Sequence, residues 1–190
     1  MTVDASLSKL CLTPRLPGFV RVHSEITLNV ITRIDAAYFA ASRLDASIEF
    51  GGAERSGLNA VKVMNLVPRP CAASGMAKQH RNAFKLGELA QTFTQHTAAP
   101  ESLPRWFDAA GVRISGNASA MRLDLMSIAP NAAAAGLSAV LLPDFMVADA
   151  LVSRKVVRLS ARAWTPERAC HLVSPEAMNV NGPLWLFRPW

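Results

Sequence analysis

The chain has 190 residues, with twenty Lys and Arg against fourteen Asp and Glu, a net charge of +6, and 51% hydrophobic against 18% charged residues. That balance supports a packed core and excludes a disordered chain, and the length suits one domain or two small ones. No apolar run approaches the roughly 20 residues of a bilayer span; the richest, residues 137–142, stops at Pro143. The start, Met-Thr-Val-Asp-Ala-Ser, has no basic stretch followed by an apolar one, so no secretory signal is expected. Cys11, Cys71 and Cys170 are odd in number and far apart, which speaks for a reducing, cytoplasmic location rather than a disulfide framework.

In chain order, residues 2–5 predict a short strand, followed by Ser6 and Ser8, both good helix N-caps. Leu16, Phe19, Val20 and Val22 then recur at helical spacing, with Pro14 opening the helix. Residues 26–32 alternate as a strand, 36–44 read as a helix, and 46–50 as a strand closed by Gly51 and Gly52. Strand–helix–strand order of this kind predicts a parallel sheet with right-handed crossovers. The pattern then repeats: extended at 61–67, helical at 76–84, and a strand at 91–97. An amphipathic helix follows at 100–110, ended by Gly111, with residues 112–115 extended. Residues 127–135 form an Ala-rich helix with Ser127 as N-cap, Pro130 in its first turn and Gly136 as its stop. Strands at 137–142, 156–159 and 169–173, a helix at 143–151 and the apolar piece 183–187 complete two similar α/β halves.

The excess charge is concentrated. Between Arg55 and Gly87 there is no acidic residue, while Arg55, Lys62, Arg69, Lys78, Arg81 and Lys85 all fall inside; elsewhere fourteen basic residues face fourteen acidic ones. The segment reads either as an anion-attracting face or as solvated surface. Phe84 is its only aromatic, so the interleaved pattern of single-strand nucleic-acid binders is missing, and no zinc-finger spacing appears.

Catalytic motifs are not found: no Gly-x-Gly-x-x-Gly, no Gly-Lys-Ser/Thr loop and no His-x-x-x-His. Gly116-Asn-Ala-Ser119 has the wrong spacing for a nucleophile elbow. Cys71 reads as a buried thiol or as a nucleophile without an assigned base. Binding chemistry remains. In open α/β sheets ligands sit at the carboxyl ends of strands, facing helix N-termini. Ser6 and Ser8 after the first strand, Thr32 and Arg33 after the second, and Ser127 at the Ala-rich helix fit that geometry, each also readable as an ordinary cap or turn residue.

Five blocks in order carry a family resemblance. They are Leu12-Thr-Pro-Arg-Leu-Pro-Gly-Phe19 with His23, Arg43-Leu-Asp-Ala-Ser-Ile-Glu-Phe-Gly51 and Trp106-Phe-Asp-Ala-Ala-Gly111, then Ala132-Ala-Ala-Ala-Gly-Leu-Ser-Ala-Val-Leu-Leu-Pro143, and Leu172-Val-Ser-Pro175 with Phe187-Arg-Pro-Trp190. Together they resemble the effector-binding domain of LysR-type transcriptional regulators, in the branch that includes regulators of glycine cleavage. The resemblance implies an α/β, type II periplasmic-binding-protein-like fold of two Rossmann-like subdomains joined by two crossover strands. The first would hold residues 1–73 and 169–190 and the second 74–168, with a small-molecule effector in the cleft.

The implied ligand-binding residues are Ser6, Ser8, Thr32 and Ser127, joined by Arg33 and, from the second subdomain, His96 and Asn117. No metal, cofactor or catalytic residue is implied. The effector expected is a carboxylate or an amino acid, and the face from Pro14 to Val22 is expected to pair two copies into a homodimer. Ser24, Ala72 and Ala73 depart from the family pattern, Asn179-Val-Asn-Gly-Pro183 interrupts its C-terminal helix, and the chain stops where the family generally continues. The family's winged helix-turn-helix is absent from this sequence, so DNA binding is expected only through a domain outside it. A solute-binding protein of the same fold, a small α/β enzyme and a free-standing interaction protein are the competing readings.

Overall fold

Asp4 ends the first strand and caps the first helix. The computed structural model describes residues 1–33, 44–51, 56–79, 87–97, 99–114, 121–162, 164, 169–176 and 183–187. The chain divides into two units, Met1–Leu66 with Pro166–Trp190, and Val67–Thr165.

In the first unit β1 (Thr2–Asp4) leads into α1 (Ala5–Leu7), a π-helical turn over Ser8–Leu12 and α2 (Leu16–Val22). Then come β2 (Ile31–Arg33), β3 (Ser47–Gly51) and β4 (Leu58–Asn65). The returning chain adds the last strand, β10 (Ala169–Pro175), and a terminal helix, α7 (Pro183–Phe187). The sheet order is β2-β1-β3-β10-β4, with β1 parallel to β2 and β3, and β10 antiparallel to β3 and β4. The sheet is therefore mixed, not purely parallel as strand–helix alternation implies. Val3, Ile48, Leu172 and Val61 stand opposite one another across four strands, and the first three are buried. Phe19 of α2 meets the Phe187 ring edge-on at 5.2 Å, bringing the terminal helix into this core.

The second unit repeats the plan. It contains β5 (Pro68–Ala73), α3 (Ser74–Gln79), a 3-10 turn over Glu88–Thr92, β6 (Phe93–His96), α4 (Ser102–Ala109) and β7 (Met121–Leu123). A 3-10 turn over Met126–Ile128, α5 (Ala129–Ala134) and β8 (Ala139–Pro143) follow, then a 3-10 turn over Asp144–Met146, α6 (Ala148–Val152) and β9 (Val156–Arg158). The order is β7-β6-β8-β5-β9, with β6 parallel to β7 and β8, and β5 antiparallel to β8 and β9. The core joins Leu89, Phe93, Leu103, Trp106 and Phe107 to Ala72, Ala90 and Ala139. Phe107 lies edge-on to both Phe93 and Trp106, at 5.5 and 5.4 Å.

Several sequence expectations change. Of the 26–32 run only Ile31 and Thr32 are in a strand, which continues to Arg33, because β1 is three residues long and pairs in register with Ile31–Arg33 alone. Residues 112–114, expected to be extended, join neither sheet. Val112 N–H instead bonds the Phe107 carbonyl at 3.0 Å and Gly111 N–H bonds Asp108 at 3.0 Å, closing α4 in a Schellman motif. Leu137 and Gly136 repeat those bonds onto Ala132 and Ala133 at the end of α5. Gly111 and Gly136 have φ of +66° and +75°, which glycine adopts without strain, so both stops fall where the sequence puts them. The 36–44 helix falls outside the described residues except for Leu44, as does the 76–84 helix beyond Gln79.

Gly87 begins the turn leading to β6, and a Cβ there would run into the Arg113 carbonyl oxygen. Backbone cannot swing aside as a side chain can. Gly87→Ala is expected to cost about 2–3 kcal/mol, seen in thermal denaturation as a melting temperature lower by roughly 4–12 °C.

Candidate functional site

The candidate residues fall into two groups, one in each unit, at the carboxyl ends of the parallel strands. In the first unit Asp4 closes β1, and its Oδ1 accepts both the Ser6 N–H at 2.9 Å and the Leu7 N–H at 3.0 Å. Asp4 is thus the N-cap, the role expected of Ser6 or Ser8. Both serines lie inside the helical passage instead and are buried. A signal for Asp4 was present, since Asp directly before a helical run is a preferred cap. The Ser8 carbonyl accepts the Thr13 N–H at 2.9 Å, five residues on, which defines the π turn. On the neighbouring strand Thr32 is exposed and opposite Val3, and the Arg33 backbone is opposite Asp4.

Electrostatically this arrangement differs from an open helix N-terminus. The N–H groups that would face an anion are already taken by the Asp4 carboxylate, which brings negative charge to the turn.

In the second unit His96 ends β6, and its Nε2 lies 2.9 Å from the Asp124 carbonyl, just past β7. A carbonyl only accepts, so this contact sets the proton on Nε2 and binds the carboxyl ends of β6 and β7 together. Ser127 is buried within the 3-10 turn that precedes α5. The residue at the N-cap of α5 is Ile128, with no side-chain bond, so Ser127 is not the cap; Pro130 does stand in the first turn. The chain reaches α5 through the 3-10 turn, which displaces the helix start beyond Ser127. Asn117 lies outside the described residues. At the amino end of β8, Thr94 Oγ1 and Ser138 Oγ, both buried, share a 2.8 Å hydrogen bond between β6 and the residue before β8.

Cys71 is fully buried on β5, and its thiol contacts the Arg69 carbonyl at 3.6 Å. Burial, with the Asp144 carboxylate adding to it, pushes this thiol up to about 11, against smaller opposing effects of Arg158 and Arg69. A nucleophile needs the reverse, a thiolate in reach of solvent. Burial likewise pushes Cys170 up to about 12. Among the described residues no group of three or more His, Cys, Asp or Glu side chains is arranged to hold a metal ion, and no helix is long and apolar enough to cross a membrane.

Two outcomes follow from these environments. Asp4→Ala leaves two N–H groups without their acceptor and is expected to cost about 1 kcal/mol, whereas Asp4→Asn keeps an acceptor oxygen and most of the stability; thermal melts of the two variants separate them. Cys71 and Cys170 are expected to resist iodoacetamide at pH 8 in the folded protein and to react once it is unfolded in urea. Unfolding returns both thiols to their ordinary value of 9.0, so the unfolded chain sheds protons first. Stability held below pH 9 is therefore lost as pH rises toward 11 and 12, which denaturant titrations across that range measure.

Comparison with known proteins places this architecture. The effector domain of the transcriptional regulator AmpR of Pseudomonas aeruginosa superposes with a TM-score of 0.86 at 25% identity, covering 100% of this chain and 90% of that one. The AmpR effector-binding domain of Citrobacter freundii gives 0.84 at 20% identity, over 100% and 93% of the two chains. The regulatory domain of CrgA, a LysR-type transcriptional regulator from Neisseria meningitidis, gives 0.75 at 19%, over 98% and 92%. No curated protein matches the sequence. The family described as the LysR substrate binding domain matches residues 1–188, and this chain, with its two mixed sheets of the type II periplasmic-binding-protein kind, belongs to it.

Proposed function

We propose that the chain is the effector-sensing and dimerisation module of a LysR-type regulator working in the cytoplasm, with DNA binding left to a part outside this sequence. The observation that carries the proposal is the family match over residues 1–188. The twin sheets support it, because each presents the carboxyl ends of three parallel strands, where open α/β sheets take their ligands. Ser6, Ser8, Thr32 and Arg33 in one unit, and His96, Ser127 and Asn117 in the other, are the residues proposed to meet the effector. The sequence blocks favour the branch that includes regulators of glycine cleavage.

Asp4 narrows the effector class. Its carboxylate already holds the first free N–H groups after β1, so an ammonium suits that turn and a bare carboxylate does not. An amino-acid-like effector is therefore favoured over a simple acid. Pairing through α2 is supported by Val20 and Val22, which remain 47% and 69% exposed. Function would follow from the effector's differential affinity for two states of the module, which shifts their populations.

The test is a thermal-shift panel of amino acids and carboxylates, with sedimentation run in parallel. A cognate effector at a hundredfold excess over its Kd should add about 2.7 kcal/mol of stability, a rise of roughly 5–11 °C. Ser6→Ala and Ser127→Ala should diminish that rise. A panel without any shift, together with a monomer in sedimentation, overturns both the effector and the dimer.

A further inference from the structure

The excess positive charge is divided unevenly between the two units. Residues 1–66 with 166–190 contain nine Lys and Arg against eight Asp and Glu, whereas residues 67–165 contain eleven against six, so the second unit carries +5 of the +6. Three of its charged groups converge. Arg69 Nη1 lies 2.8 Å from Asp144 Oδ2, and Arg158 grips the same carboxylate with Nε 3.2 Å from Oδ1 and Nη2 3.0 Å from Oδ2. None of the effector-site candidates takes part.

Strand register brings the three together. Arg69 stands opposite Leu142 near the end of β8, Asp144 follows directly after that strand, and Arg158 stands opposite Cys71 on the far side of β5. Both arginines therefore project from hydrogen-bonded strands, and their forks are placed before any ligand arrives. A single carboxylate cannot neutralise two guanidiniums, and the cluster retains one positive charge. One of the five N–H groups of Arg69 and two of those of Arg158 are engaged with Asp144, which leaves donors on both forks. The side chains are 27%, 36% and 49% exposed for Arg69, Asp144 and Arg158, so a solute can reach them. Two guanidiniums on one carboxylate leave uncompensated charge at a rigid, accessible point.

We propose that Arg69 and Arg158 form a binding site for a phosphate-type oxyanion, with Asp144 as the tether that holds the two guanidiniums together. Paired guanidinium forks suit an anion with three or more acceptor oxygens better than a single Lys charge would. The unit's surplus of positive charge attracts such an anion from solution. Inorganic phosphate and the phosphate group of a small molecule present the same acceptor oxygens, and the chemistry recognised is the same.

The experiment is calorimetric titration of the whole chain with inorganic phosphate and, separately, methyl phosphate, at constant ionic strength against chloride. Saturable binding of either probe is expected. Arg69→Gln and Arg158→Gln should each weaken it by about tenfold or more. Asp144→Asn, which keeps one acceptor oxygen to tether the arginines but removes the competing negative charge, should strengthen it severalfold. Arg105→Gln, on an exposed position of α4, should leave it unchanged. Should the glutamine variants melt early, Arg69→Lys and Arg158→Lys preserve charge without the fork and should still weaken binding. Saturation by inorganic phosphate alone identifies the free anion, and saturation by methyl phosphate identifies a phosphorylated molecule; either supports the site. Absence of saturable binding overturns it, as does binding equal in the wild type and the Arg69 and Arg158 variants, or lost equally in Arg105→Gln.

Discussion

Each sheet depends on one strand that runs against its neighbours. β10 lies between β3 and β4, and β5 lies between β8 and β9, in both cases antiparallel to the strands on either side. Each brings a distant part of the chain into the interior of a sheet, where both edges of its backbone are hydrogen-bonded. Cys170, Leu172 and Val173 reach the first core only through that placement, and Cys71 and Ala72 reach the second. The connections of the chain at residues 66–67 and 165–166 lead directly into or toward these strands, so the twofold plan and the crossing of the chain between units are a single constraint.

The same constraint organises the polar chemistry. Parallel strands end together, and the helices that follow them start at one edge of each sheet. Asp4, His96 and Asp144 all stand at such ends, following or closing β1, β6 and β8. Each does different work there: Asp4 supplies a carboxylate to two N–H groups, His96 ties β6 to the turn beyond β7, and Asp144 gathers two arginines. An unmodified strand-end edge would present backbone N–H groups to an anion in every case. This chain instead converts one such place into a negative turn and surrounds another with positive charge.

Elements with strong local determinants were legible in the sequence. α4 shows Leu103, Trp106, Phe107 and Ala110 at helical spacing, all buried, with Gly111 directly after its cap. α5 follows the same rule with Pro130 and Gly136. Errors arose where the partner decides. A strand lasts only as long as the strand beside it, which is why the alternation over 26–30 builds no strand and why three-residue β7 leaves no signal in the sequence. The caps assigned to Ser6, Ser8 and Ser127 failed for a related reason: a π turn and a 3-10 turn shifted the helix starts, and those turns reflect how the chain packs onto its sheet.

By itself the sequence determined the class of the protein. Apolar periodicity, glycine stops and the strand–helix alternation require two α/β halves, and the five ordered blocks point to the LysR family because such local patterns persist wherever the same backbone must be built. Only the tertiary structure decided the chemistry at the strand ends. The basic run from Arg55 to Gly87 had suggested an anion-attracting face without locating one, since sequence distance says nothing about separation in space. Arg69 lies 75 residues from its carboxylate partner. Their meeting depends on the antiparallel register of β5 against β8 and β9, and long-range register is not encoded in any local pattern.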